Sequence, residues 1–477
     1  MKKIISDKTG FPRLALNEVI AYECHIRGLT KDPSSGVVHK GTYKGVIERL
    51  DDIKNLGFNQ LILMPAYEYK SAPVKIYGVP SHMTISEREQ SVPSNYWGFE
   101  PGDYFHAKQY YAERNADEEF AELISAAHAK DMEIIMMIHF ADDVDTQMML
   151  DSLNNWVRAF HVDGFFLNVN PYYLKVISDQ KKLRKTKLYV YDIDRNINYT
   201  EPERIAVYDP SYRIHLRRML RGDEDGLKDF VNDLINNHDP FAHIISVTSH
   251  NGFTLADLYS FARKHNEANG EGNRDGEDYN YSDNCGAEGA SDDERIKSIR
   301  LRYMKNAICL LLLSKGIPVF LAGDEEGNSQ KGNNNAYCQD NEISWIQYGG
   351  EYAGELKETV KQICALRRES GIFSNTSRSK INYRGIPTVS IHGSYAWDGS
   401  LDNVSRHAGI LFADGDSYLY ICVNFEDDDM RLAMPHLPQG FSWELLTDTA
   451  DTQNACSDQS NTVLKGHSVK IFIGGKQ

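Results

Sequence analysis

At 477 residues, with 41% apolar and 11% aromatic content, the chain is too long for one ordinary domain and apolar enough to bury a large core, which excludes disorder as its main state. A net charge of −16 without any long stripe of Lys or Arg excludes nucleic acid as a partner, because neutralising phosphates takes clustered cations. Seven scattered cysteines with no C-x-x-C pair exclude a zinc cluster and a disulfide framework, so neither a metal nor a cofactor is expected.

The N-terminal MKKIISDKTGFPRL has two lysines but no apolar run of leader length. No later segment approaches the roughly 18 apolar residues of a membrane span. A cytoplasmic protein with no membrane contact is expected.

Residues 18–25 (EVIAYECH) read as a first strand. Thr42 then caps a helix whose apolar face is Val46, Ile47, Leu50, Ile53 and Leu56, and Gly57 ends it. The second strand is 60–65 (QLILMP). A second helical pattern covers 117–130 through Phe120, Leu123, Ile124 and Ala127, before a strand at 133–139 (EIIMMIH). Five more strands follow at 164–168, 187–192, 204–208, 243–248 and 317–321. Eight such runs interleaved with helices predict an α/β fold, a (β/α)8 TIM barrel with long loops over residues 1–374. Leu356, Val360, Ile363 and Leu366 form the face of a closing helix. After it the texture changes to short β runs (TVSIHG, YLYICVNF, SWELL, SVKIFIG), which predict a C-terminal antiparallel β-sandwich over 375–477. Two polar loops, 266–293 and 327–341, break the barrel rhythm, and loops after barrel strands are where function gathers.

Several blocks closely resemble the debranching, isoamylase-type branch of the α-amylase superfamily (glycoside hydrolase family thirteen). They are YECHIRGLTKDPSSGVVHKGTYKGVIERLDDIKNLGFNQLILMP, NYWGFEPGDYF, VTSHNGFTLADLYSF, PVFLAGDEEGNSQKGNNNAYCQDN and ISW. The resemblance implies a barrel acting on α-glucans such as glycogen. It also implies sugar contacts from Phe99, His250, Asn251, Asn334, Asn335 and Tyr337. The family's nucleophile, acid/base and third acidic residue fall on Asn168, Tyr191 and Asn251, and the arginine beside the nucleophile falls on Phe166. The third-strand motif is altered as well, at Met137, Ala141 and Asp142.

These replacements remove the two carboxyl groups that a retaining glycosidase sets about 5–5.5 Å apart. The expectation is therefore a glycogen-debranching-like protein of carbohydrate metabolism that binds α-glucan (glycogen or maltooligosaccharide) without cutting it. A catalytic glucan-processing partner or a second copy of the chain would accompany it. One rival is an active hydrolase or transglycosylase with relocated acids, for which Asp142, Asp192 and Asp194 are the candidates. The other is an interaction barrel with no sugar affinity, its cleft filled by Phe166, Met137 and Tyr191. Asp324-Glu325 reads as a support for the last loop, and 426–429 as a solvated turn. Only about 17 residues precede the first strand, so no N-terminal carbohydrate-binding domain is expected.

Overall fold

The computed structural model describes residues 12–70, 95–235, 240–373, 381–382, 384–451 and 460–476. The expected domain boundary at 374/375 and the residues of the N-terminal segment up to 11 lie outside the described residues. The strands run in chain order as β1 (Ala21–Cys24), β2 (Gln60–Leu63), the hairpin β3 (Tyr67–Tyr69) and β4 (Gly102–Ala107), β5 (Glu133–Ile138), β6 (Gly164–Leu167), β7 (Lys187–Val190), β8 (Ile205–Tyr208), β9 (Ala242–Ile245) and β10 (Ile317–Leu321). Eight of them close a parallel barrel in the order β1-β10-β9-β8-β7-β6-β5-β2. All eight expected strands are present. The β3–β4 hairpin is an addition that the sequence pattern did not suggest.

Alternation along each strand sorts the side chains into two cores. Ala21, Ile62, Ile135, Met137, Phe166, Tyr189, Ala206, Ile244 and Val319 pack inside the barrel. Tyr22, Leu63, Met136, Phe165, Leu188 and Val190 face the surrounding helices. Both faces are apolar, which is why these strands read as near-continuous hydrophobic runs. Each fully buried Leu, Ile or Phe contributes roughly 1.5–3 kcal/mol. Near the lower end of the barrel interior the Lys187 ammonium pairs with the Glu133 carboxylate. Gln60 donates to Glu133 (2.9 Å) and accepts from the Tyr189 hydroxyl (2.9 Å). A polar belt at that end serves stability, since barrel chemistry belongs to the other end.

The helix after β1, α1 (Tyr43–Leu56), begins where Thr42 Oγ1 accepts from the Gly45 amide (3.2 Å) and ends at Gly57, whose φ of 113° suits glycine. Next are α2 (Ala116–His128), α3 (Glu294–Leu312) and α4 (Ala353–Ser370). The C-terminal strands are β11 (Val389–His392), β12 (His407–Asp414), β13 (Ser417–Asn424), β14 (Met430–Ala433), β15 (Phe441–Asp448), β16 (Asn461–Leu464) and β17 (Ser468–Lys476). Five form an antiparallel sheet in the order β11-β12-β13-β17-β15, while β14 and β16 form a second, two-stranded sheet. Residues 426–429 are the turn between β13 and β14, as the acidic run suggested. Among the described residues no helix is long and apolar enough to cross a membrane.

Candidate functional site

At the upper, C-terminal ends of the strands the inward positions are Glu23, Met64, Met137, Phe166, Tyr191 and Tyr208. Of these six only Glu23 carries a charge, and it is committed. Its Oε1 accepts from the His250 amide (2.9 Å) and from His250 Nδ1 (2.7 Å). That contact places the ring proton on Nδ1 and leaves Nε2 without a partner among the described residues. Phe99 stacks on the His250 ring at 5.2 Å, and Trp97 meets it edge-on at 5.0 Å. The result is an aromatic corner with one free ring nitrogen.

Across the mouth, Tyr191 lies flat over Phe166, with centroids 4.6 Å apart and planes 27° apart, and meets Tyr208 edge-on at 5.9 Å. Crowding, with the Glu23 carboxylate nearby, pushes the Tyr191 phenol well above its ordinary value, although 39% of the residue stays exposed and the desolvation is therefore partial. Asn168 follows β6 at the level of Tyr191 after β7. Asn168 and Asn251 are exposed, and their side-chain amides take no hydrogen bond from the described residues. Asp142 is exposed as well. Asp192 accepts from the Ile193 amide (2.8 Å) and Asp194 from Asn196 (2.9 Å), so both serve their own turns.

Three expected sugar contacts are turned inward instead. Asn334 is fully buried; its oxygen accepts from Asn266 (2.9 Å), and its nitrogen donates to the Glu277 carbonyl (2.7 Å) and Asn280 (2.9 Å). Asn335 donates to Asp275 (3.0 Å), and the Tyr337 hydroxyl to Glu271. An amide both donates and accepts, so it can link loops without burying charge. Here it ties loop 266–293 to loop 327–341. The Tyr337 carbonyl then accepts from the amides of Tyr96 (2.6 Å) and Trp97 (3.3 Å), which positions the aromatic corner. These residues build the site without lining it.

Asp324 and Glu325 lie in a 3-10 turn, not on a strand end, and face different partners. Asp324 accepts from the Leu255 amide (2.8 Å) and the Thr248 hydroxyl; Glu325 accepts from the Tyr22 hydroxyl (2.6 Å) and the Gly323 amide (2.9 Å). Burial raises both to about 7. Their role is support. A cavity of about 290 Å³ opens elsewhere, on the flank between α1 and α4. Its cations Arg49 and Lys357 are already paired with Asp52 (2.8 Å) and Glu326 (2.5 Å).

Sequence reading overlooked Glu23. Its signal was an acid at an inward position near the upper end of an otherwise apolar strand, where burying a charge needs a reason.

Residues 27–146 match the model of the α-amylase catalytic domain. The barrel is of the α-amylase superfamily. The chain is 28% identical to the glycogen operon protein GlgX homolog of Mycobacterium bovis, over 95% of this chain and 74% of that one. It is 27% identical to chloroplastic isoamylase 1 of Oryza sativa subsp. japonica, over 96% and 67%. A pullulanase from Bacillus acidopullulyticus superposes with a TM-score of 0.69 at 18% identity, over 98% of this chain and 62% of that one. The GBS pullulanase SAP, solved in complex with maltotetraose, superposes with a TM-score of 0.73 at 13% identity, over 99% and 73%. The expected superfamily and fold are both found, and the named relatives are glycogen and debranching proteins.

Proposed function

We propose that this chain binds α-glucan at the barrel mouth and does not hydrolyse it. The observation that carries the reading is the pairing of a built aromatic corner with a mouth whose one inward carboxylate is tied to His250. Phe99 offers a face for a pyranose ring, while His250 Nε2, Asn168 and Asn251 offer hydrogen bonds to hydroxyls.

Hydrolysis with retention would need an anion at the anomeric carbon and a protonated acid behind the leaving oxygen. Asn168 has no charge to form the covalent ester. Tyr191, held in its protonated form, is far too weak an acid to protonate a leaving oxygen near neutral pH. Phe166 supplies no cation to ionise a nucleophile beside it. The names of the relatives support glycogen or a maltooligosaccharide as the glucan. A supporting role beside an active glucan-processing enzyme, or with a second copy, belongs to the same proposal. So does a cytoplasmic site of action, supported by six described cysteines that stand free.

The test is native electrophoresis with and without glycogen in the gel, alongside an assay of reducing ends released from limit dextrin. The expected result is selective retardation with no release. Phe99→Ala should weaken retention about fivefold, the value of one aromatic contact. Steady release abolished by Asp142→Asn or Asp192→Asn would instead assign an active hydrolase. Unchanged mobility of the wild type would leave a barrel without sugar affinity.

A further inference from the structure

The C-terminal domain holds an exposed bulky residue in a backbone conformation that side chains avoid. Residues Tyr395 to Asp398 form a turn closed by the Asp398 amide on the Tyr395 carbonyl (3.4 Å). Trp397 occupies its third position with φ +68°, where glycine or asparagine is the usual choice. Two contacts hold it there. The Trp397 amide donates to His392 Nδ1 (2.9 Å), and the indole stands edge-on to that imidazole at 4.8 Å.

His392 is itself fully buried at the end of β11, packed against Tyr420 at 5.5 Å, with Nε2 at 2.9 Å from Ser390 Oγ. Because Nδ1 accepts from an amide, Nε2 carries the ring proton and donates to Ser390. Burial lowers His392 to about 4, so this arrangement persists across the neutral range. The Ala433 amide fastens the Gly393 carbonyl (3.0 Å), which ties the root of the loop to β14.

This anchoring ends in two open rings. Trp397 is 47% exposed and Tyr395 76% exposed, while Ser394, Asp398 and Ser400 beside them are exposed and polar. A protein partner would call for a contiguous apolar core depleted of charge. Two separate rings set among hydroxyls and a carboxylate fit a pyranose instead, whose C–H face stacks while its hydroxyl edge finds acceptors. Backbone strain at a displayed side chain is kept where function needs the display.

We propose that the turn 395–398 is a second α-glucan contact, remote in sequence from the barrel mouth, with Trp397 and Tyr395 as its stacking platform. The proposal rests on glucan binding at the barrel mouth and extends it to the C-terminal domain.

The test compares full-length wild type, Trp397→Gly, Trp397→Phe, Tyr395→Ala and Phe99→Ala by mobility in glycogen gels, with thermal melting of each. Trp397→Gly relieves the positive φ, so its melting temperature should match or exceed that of the wild type. Its retention should weaken about fivefold, and Trp397→Phe should recover part of that loss. Tyr395→Ala, which alters an exposed side chain, should also weaken retention and covers the case in which a Trp397 variant misfolds. Wild-type retention in both Trp397→Gly and Tyr395→Ala, with Phe99→Ala impaired, would overturn this second site and leave the barrel-mouth reading standing. A lower melting temperature for Trp397→Gly with unchanged retention would make the indole a structural cover for His392. An unretarded wild type would overturn both readings.

Discussion

Each of the three replaced acids is a small chemical change, but their surroundings have changed with them. Tyr191 lies on Phe166, and Phe166 fills the floor beside Met137, where strand register makes the two residues partners. Restoring Asn168→Asp, Tyr191→Glu and Asn251→Asp together would return the carboxyl groups to a floor that offers no cation to ionise the nucleophile. It would also strip the stacked ring from Phe166. Residues that act as a unit return activity only as a unit. The triple variant should therefore release reducing ends from limit dextrin at least about 10³-fold more slowly than an active debranching enzyme assayed beside it. Turnover near that enzyme's would show that the cleft is still organised for chemistry and that Phe166 and Met137 are no obstacle to it.

At the scale of elements, the seventh- and eighth-strand segments are held together by buried acids. Asp257 accepts from the Gln330 amide (2.8 Å) and the Ser329 hydroxyl (2.5 Å), and burial raises it to about 6. Asp324 joins Thr248 and Leu255 from the other side, raised by burial to about 7 from an ordinary 3.8. A carboxyl group whose pKa is higher in the folded chain binds its proton more tightly there. Its stabilising contribution is complete below about pH 4 and is lost as pH rises through about 7. Asp324→Asn keeps an oxygen for the Leu255 amide and can donate to Thr248, yet never ionises. The fall in melting temperature between pH 5 and pH 8 should therefore be smaller in that variant than in the wild type. An equal fall would remove Asp324 from the titration. The sequence showed the Asp324-Glu325 pair as support, but not what it supports, because a pattern of residues does not name hydrogen-bond partners. The same limit explains Asn334, whose polarity was legible while its complete burial was not. The eight barrel strands were legible because both faces are apolar. The β3–β4 hairpin escaped notice because β3 has three residues and too little pattern, and β12 because its apolar run starts only after Arg406 and His407.

At the scale of the whole molecule, the five-stranded sheet is buried on both faces, which explains the unbroken apolar run along β13. Ile410, Phe412, Leu419, Ile421, Val423, Val469 and Ile471 share one core with the barrel and its helices. Leu411, Tyr418, Tyr420, Leu432, Trp443, Leu464 and Phe472 make a second core between that sheet and the β14–β16 pair. Polar contacts reinforce the junction. Asn306 on α3 donates to the His467 carbonyl (2.9 Å) and accepts from the Thr449 hydroxyl (2.6 Å), while Gln362 on α4 donates to the Leu446 carbonyl (3.1 Å). A sheet that shares its core with α3 and α4 should not unfold apart from them, since separation would expose apolar surface on both sides at once. Denaturant unfolding followed by backbone circular dichroism and by tryptophan fluorescence should therefore give coincident curves. Asn306→Ala should shift both midpoints together by about 1–3 kcal/mol of stability, because it strands the Thr449 and His467 groups. Two resolved transitions, with Asn306→Ala moving only one of them, would mean that the C-terminal domain is an independent module and that the shared core contributes little to its stability.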